Sequence, residues 1–148
     1  MHKIVFVCTG NTCRSPMAAA MATQIFSNAG LKAEVLSAGV SAWASQPASR
    51  HAITVMEESG LSLVKHKASI VSNALLEDAT LVLAMTGGHR AVLLSDYPGL
   101  KGKIYTLGEY VGDSTDVSDP FGGSVEEYRA CAAQIKAMLL QVVERCKG

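Results

Sequence analysis

A thiol and a guanidinium stand near the two ends of one short loop, Cys8-Thr9-Gly10-Asn11-Thr12-Cys13-Arg14-Ser15. An apolar run, Ile4-Val5-Phe6-Val7, leads into Cys8, and Pro16 with an alanine-rich helical pattern follows Ser15. That order reads as strand, tight loop and helix start. Cysteine attacks as the thiolate, and loop amides, a helix N terminus and a nearby arginine all favour that form. The same groups bind a tetrahedral oxyanion. Arg14 can offer two parallel donors to phosphoryl oxygens. The backbone N–H groups of Thr9, Gly10, Asn11, Thr12, Cys13 and Arg14 can surround the rest, and Gly10 is expected to permit the backbone curl this needs. Asn11 can hold the loop through bonds to neighbouring backbone, and Ser15 can donate toward Cys8. The chemistry is attack of sulfur on a phosphoryl group whose charge is met by positioned donors.

A plainer reading exists: a buried structural thiol at a strand end and a surface arginine on a helix. The strand before, the glycine within and Ser-Pro after weigh against it. The Gly-Lys-Ser/Thr ending of a nucleotide-binding P-loop is missing. The spacing from Cys8 to Cys13 is neither a thioredoxin-like pair nor a zinc half-site, and no histidine falls at ligand spacing, so no metal is expected.

A leaving group needs a proton. The best donor by position is Asp119, in Ser118-Asp119-Pro120-Phe121-Gly122-Gly123-Ser124, where Pro120 stiffens the chain beside the acid. Asp113 and Asp116 are rivals in the same stretch, and all three can also be read as solvated loop carboxylates.

The elements that must position these groups follow from periodicity. Residues 3–8 read as a buried parallel strand, and 17–28 as a helix with Met17, Met21, Ile25 and Phe26 inward, closed by Gly30. Strands are expected at 33–37, 80–85 and 103–106, helices at 49–59 and 88–95, and a single helical turn at 73–77. The stretch 108–123 reads as one long polar loop of a length that usually serves a function. Ser124 with Glu127 forms a capping box for a last helix running to about Arg145. The order predicts an α/β fold: a four-stranded parallel sheet with helices on both faces, a Rossmann-like three-layer arrangement. Ligands in such sheets bind beyond the carboxyl ends of the strands, where Cys8 and the 108–123 loop both lie.

The whole chain sets further bounds. With 148 residues and no linker it reads as a single domain, 1–148. Its formal net charge is zero and it has no basic block, which argues against nucleic-acid backbone binding. Neither a membrane span nor a secretory signal is visible, so a cytoplasmic protein is expected, with its four cysteines as thiols. A monomer is the expected state. Cys13 has two readings: a small residue packed under the loop, or a partner for a reversible disulfide with Cys8 that would act as a redox brake. Trp43 would either rim the site or pack in the core, and His89 would cap a helix or face solvent.

Four segments together, VFVCTGNTCRSPMA, SAGV at Ser37 to Val40, LVLAMT at Leu81 to Thr86 and DPFGGS at Asp119 to Ser124, resemble the low-molecular-weight protein tyrosine phosphatase family along essentially the whole chain. The resemblance implies the phosphotyrosine protein phosphatase I-like fold. It also implies a covalent phosphocysteine on Cys8, hydrolysis by water without metal or other cofactor, and Asp119 as acid and then base. Asn11 and Ser15 would shape the loop, and Ser37 would anchor Asn11 from the second strand. Two positions depart from the tyrosine-directed pattern: Thr12 stands where a bulky aliphatic residue is usual, and Phe121-Gly122-Gly123 follows Asp119-Pro120. That combination looks like the bacterial protein arginine phosphatase branch, which implies arginine-phosphorylated protein substrates. A phosphoguanidinium is planar and carries N–H donors. Thr12 can meet it with a hydroxyl, Phe121 can lie along its plane, and Asp119 can accept an N–H before protonating the leaving nitrogen. Phosphotyrosine hydrolysis by the same machinery is the alternative. A non-catalytic oxyanion-binding module fits less well, because binding needs neither nucleophile nor acid. Arsenate reductases of this fold relay a disulfide through further cysteines, and this chain has none between Cys13 and Cys131.

Overall fold

The structure, a computed structural model, describes residues 2–147. Four strands form one parallel sheet: β1 (His2–Cys8), β2 (Ala33–Gly39), β3 (Leu81–Ala84) and β4 (Ile104–Thr106), in the order β2-β1-β3-β4. β1 is central because it is apolar on both faces. Ile4 and Phe6 enter one core with the helices α1 (Arg14–Asn28), α2 (Arg50–Glu58) and α6 (Val125–Lys147). Val5 and Val7 enter the other, with Leu76 of α3 (Asn73–Asp78) and Leu93 of α4 (Gly87–Asp96). A strand buried on both sides reads as a continuous hydrophobic run, as this one does. β1 and β3 pair from Ile4 with Leu81 to Val7 with Ala84, so the two strands end side by side beneath the loops that follow them.

α6 packs along α1 with Tyr128, Ile135, Leu139 and Val142 buried, at the period a helix face requires. Ser124 and Glu127 form the expected reciprocal cap. Ser49 and Thr86 cap α2 and α4 one way only, each accepting from an amide three residues on.

The stretch after β4 does not begin as a loop. Leu107–Tyr110 forms a short helix, α5, closed by a capping box in which Thr106 and Glu109 exchange bonds. The Thr-x-x-Glu signal for it was present in the sequence, but four residues give no periodicity to read. Gly108 is required there: a Cβ would lie 2.3 Å from the Thr115 carbonyl oxygen, so the loop could not fold back over the helix. The first helix starts at Arg14, one turn earlier than its hydrophobic pattern, because Arg14 and Ser15 bond toward the loops rather than supply the helix stripe. Trp43 is 81% exposed, so the core reading of that residue is corrected. Among the described residues, no helix is long and apolar enough to cross a membrane.

Candidate active site

Cys8 is the last residue of β1, and the chain turns through residues 9–13 into α1. The turn is tight against β2. A Cβ on Gly39 would sit 2.4 Å from the Thr9 carbonyl oxygen and 3.0 Å from the Asn11 amide nitrogen, so this close approach needs glycine. The left-handed position that closes the loop falls on Asn11, at φ 57°, and not on Gly10. Asparagine tolerates that conformation better than other non-glycine residues, and here its side chain holds it in place.

Asn11 is fully buried and bonded on every side. Its Oδ1 accepts from the Ser69 amide at 2.9 Å, while Nδ2 donates to Ser15 Oγ at 2.8 Å and to Ser37 Oγ at 2.9 Å. His66 Nε2 donates to the Asn11 carbonyl at 2.7 Å. These bonds set the direction of the next one. Ser15 Oγ accepts from Asn11, so its own proton is free for Cys8 Sγ, 2.8 Å away. Ser15 therefore serves as a donor to sulfur. No cap bond is made by the Cys13 side chain at the start of α1, which leaves the first-turn amides without a side-chain partner there.

Arg14 is 5% exposed, and its guanidinium is fixed from the far loop: Nη1 donates to the Val117 carbonyl at 3.0 Å, and Nη2 lies 3.6 Å from Asp119 Oδ2. The other Asp119 oxygen accepts from the Phe121 amide at 3.0 Å, the local turn that Asp-Pro favours. Of the three candidate acids, Asp119 is the one brought to the arginine. Asp116 instead accepts from the Gly87 amide at 3.0 Å at the start of α4, and Asp113 bonds Thr115 within its own turn.

A cavity of about 290 Å³ opens over Cys8. Thr9, Gly10, Thr12, Cys13 and Arg14 form its floor and near wall, and Asp119 and Phe121 enter from the opposite loop. Asn11 and Ser15 lie buried beneath it and Ser37 behind Asn11, so the residues singled out in the sequence form one constellation. The Cys13 thiol contacts Tyr128 Oη at 3.2 Å and Ser49 Oγ at 3.5 Å. Burial, then the bond to Cys13, pushes the Tyr128 hydroxyl up to about 12.

Three contributors escaped sequence reasoning. Gln46, from the segment after β2, lines the cavity. His66 carries the Asn11 carbonyl. His89 is buried rather than solvent-facing: its Nε2 lies 2.7 Å from Thr9 Oγ1 and its Nδ1 3.1 Å from Thr86 Oγ1. Burial first, and Arg14 second, hold its imidazole below the ordinary histidine value, while Asp119 and Asp116 act in the other direction. Isolated histidines give no pattern in a sequence; only their long-range partners reveal these two.

Comparison with known proteins agrees with the geometry. The family model for low molecular weight phosphotyrosine protein phosphatase matches residues 3–147. The chain is 42% identical over 145 residues to a protein-arginine-phosphatase of Bacillus subtilis, covering 97% of this chain and 96% of that one. It is 38% identical to the low molecular weight protein-tyrosine-phosphatase PtpB of Staphylococcus haemolyticus, over 90% of this chain and 91% of the other. A crystal structure of a YwlE mutant from Bacillus subtilis superposes with a TM-score of 0.97 at 40% identity, with both chains covered completely. A YwlE arginine phosphatase structure of a cysteine-to-serine mutant, at TM-score 0.95 and 41% identity over 98% of this chain and 95% of that one, carries a phosphorylated active-site serine. The chain belongs to the low molecular weight phosphotyrosine protein phosphatase family.

Proposed function

We propose that this protein hydrolyses phosphoarginine in proteins, without a metal, through a phosphocysteine on Cys8. The observation that carries the mechanism is the pairing of Ser15 Oγ with Cys8 Sγ at 2.8 Å beside an arginine that reaches Asp119 at 3.6 Å. The Cys8 thiolate attacks phosphorus, with the phosphoryl oxygens held by Arg14 and the loop amides. The bond from phosphorus to the guanidinium nitrogen breaks as Asp119 gives that nitrogen its proton. Asp119, now a carboxylate, takes a proton from water as the water attacks the phosphocysteine. Sulfur leaves as thiolate, stabilised by the Ser15 hydroxyl. Both half-reactions use the same groups in opposite directions, so one acid serves twice.

The choice of phosphoarginine rests on Thr12 and Phe121 facing the same cavity as Asp119. It is further supported by relatives at 42% identity that are named protein-arginine-phosphatases. Thr12 offers a hydroxyl to guanidinium N–H groups and leaves more room than an aliphatic side chain. A polar contact of this kind discriminates strongly, because the wrong ligand leaves it unpaired. Phosphotyrosine hydrolysis is the second reading, favoured by the tyrosine-phosphatase name of the Staphylococcus relative. The working form we propose is a single-domain cytoplasmic monomer. Its four cysteines are free thiols, and a reducing compartment keeps the nucleophile active.

Matched peptides bearing phosphoarginine or phosphotyrosine, given to reduced protein, test the choice through kcat/KM. Phosphoarginine should be preferred, and Thr12→Ile should erode that preference by roughly tenfold or more. A preference for phosphotyrosine would overturn the specificity and leave the mechanism standing.

A further inference from the structure

The back of the loop that carries Asp119 does not rest on a packed floor. A cavity of about 190 Å³ opens behind it, walled by Ser118, Pro120, Cys131 and Gln134. Across this gap Gln134 of α6 reaches the loop backbone twice. Its Oε1 accepts from the Ser118 amide at 3.2 Å, and its Nε2 donates to the Asp116 carbonyl at 3.0 Å. A backbone N–H only donates and a carbonyl only accepts, so both ends of the amide are assigned. The side chain thus clamps the residues on either side of Val117.

Val117 is where the two halves of the site meet. It is buried; its N–H donates to the Met85 carbonyl at 2.9 Å and its carbonyl receives Arg14 Nη1 at 3.0 Å. Two residues further on, Asp119 faces Arg14 Nη2. We propose that Gln134 is a positioning residue: by fixing the backbone around Val117 it sets the orientation of the Arg14 guanidinium and the reach of the Asp119 carboxylate together. This rests on the roles proposed above for Arg14 and Asp119. Cys131 adds a weaker contact to the Ser118 carbonyl at 3.5 Å. Its thiol is pushed up to about 12 by burial, so it stays protonated and acts as a donor, not a nucleophile.

The test uses the full chain with Gln134→Ala and Gln134→Glu. Gln134→Glu keeps an acceptor for Ser118 but loses the donor to Asp116. Two readouts separate positioning from general stability: the inhibition constant of orthovanadate, which reports the anion site, and kcat/KM for phenyl phosphate against p-nitrophenyl phosphate, which reports proton delivery to the leaving group. For Gln134→Ala, vanadate should bind roughly threefold or more weakly, as expected from losing net hydrogen bonds in a partly hydrated setting. Phenyl phosphate turnover should fall by about three- to tenfold more than p-nitrophenyl phosphate turnover. Gln134→Glu should lie between parent and Gln134→Ala. Parental values for Gln134→Ala in either readout overturn the proposal, as does a loss equal for both substrates. Asp119→Ala in the same assay checks the underlying reading: if it shows no leaving-group dependence, the acid assignment fails independently of Gln134.

Discussion

The two loops that meet over Cys8 are built in opposite ways. The phosphate-binding loop, residues 8–15, is contiguous in sequence and mostly buried, and Asn11, Ser15 and Ser37 bond one another beneath it. The loop of Asp119 is largely exposed, with Val117 and Pro120 its buried residues. It is tied down by Met85 and Gly87 at the junction of β3 and α4, and by Gln134 of α6. The difference matches what each must do. An anion site works best when its donors are fixed before the charge arrives, whereas an acid that must admit substrate, deliver a proton and then serve a water needs room to move.

Breaking each loop should therefore give different kinds of loss. The largest effect is expected from Cys8→Ser, which removes the nucleophile but leaves the anion site. Turnover should fall by about 10³-fold or more while tungstate still binds. Turnover close to the parent would end the covalent mechanism. Asp119→Ala comes next, with an expected loss of roughly 10²–10³ for poor leaving groups and much less for p-nitrophenyl phosphate. A plot of log kcat against leaving-group acidity checks this, and an unchanged slope is the contrary result.

Asn11→Ala sharpens the contrast through stability rather than chemistry. It strands the hydroxyls of Ser15 and Ser37 and the Ser69 amide, and puts alanine at a left-handed φ. A loss of about 2–4 kcal/mol is expected in chemical denaturation. Truncating Phe121, which is 76% exposed on the other loop, should cost less than about 0.5 kcal/mol. Comparable losses at the two sites would remove the distinction between a built loop and a tethered one.

The smallest effect concerns pH. His89 is held below the ordinary histidine value of 6.5, so the unfolded chain takes up this proton more readily than the folded one. Its neutral form thus contributes stability that is complete above that value and is lost as pH falls toward and through the depressed folded value. Melting temperature measured at descending pH should fall less steeply in His89→Gln than in the parent between neutrality and the carboxylate range. Identical slopes would show that His89 does not report on its Thr9 contact in this way.

How much of this was legible beforehand depends on the range of the interaction. β1 was readable because a strand buried on both faces must be apolar throughout, and α6 because its stripe and its Ser124–Glu127 cap are local. Helix α5 was missed, since four residues are too few to show a period. Gly10 was credited with a conformation that Asn11 adopts, because composition does not say which residue of a tight turn crosses to positive φ. His66 and His89 carried no signal, since each acts through a partner far away in sequence, and Gln46 and Gln134 carried none because only the folded chain brings them to the cavity and to the Asp119 loop.

By itself, the sequence determined the stretch proposed to hold the nucleophile and bind the anion, and the parallel sheet that presents it, because thiol, arginine and helix entry lie within one covalent stretch and strand burial is written in hydrophobic runs. The sequence also favoured Asp119 as the acid, but only the tertiary structure shows it reaching Arg14 and which side chains hold that loop in place. The reach of Arg14 to that loop joins residues more than a hundred positions apart, and it is fixed by packing α6 against α1 and β3 against β1, not by any local preference of the chain.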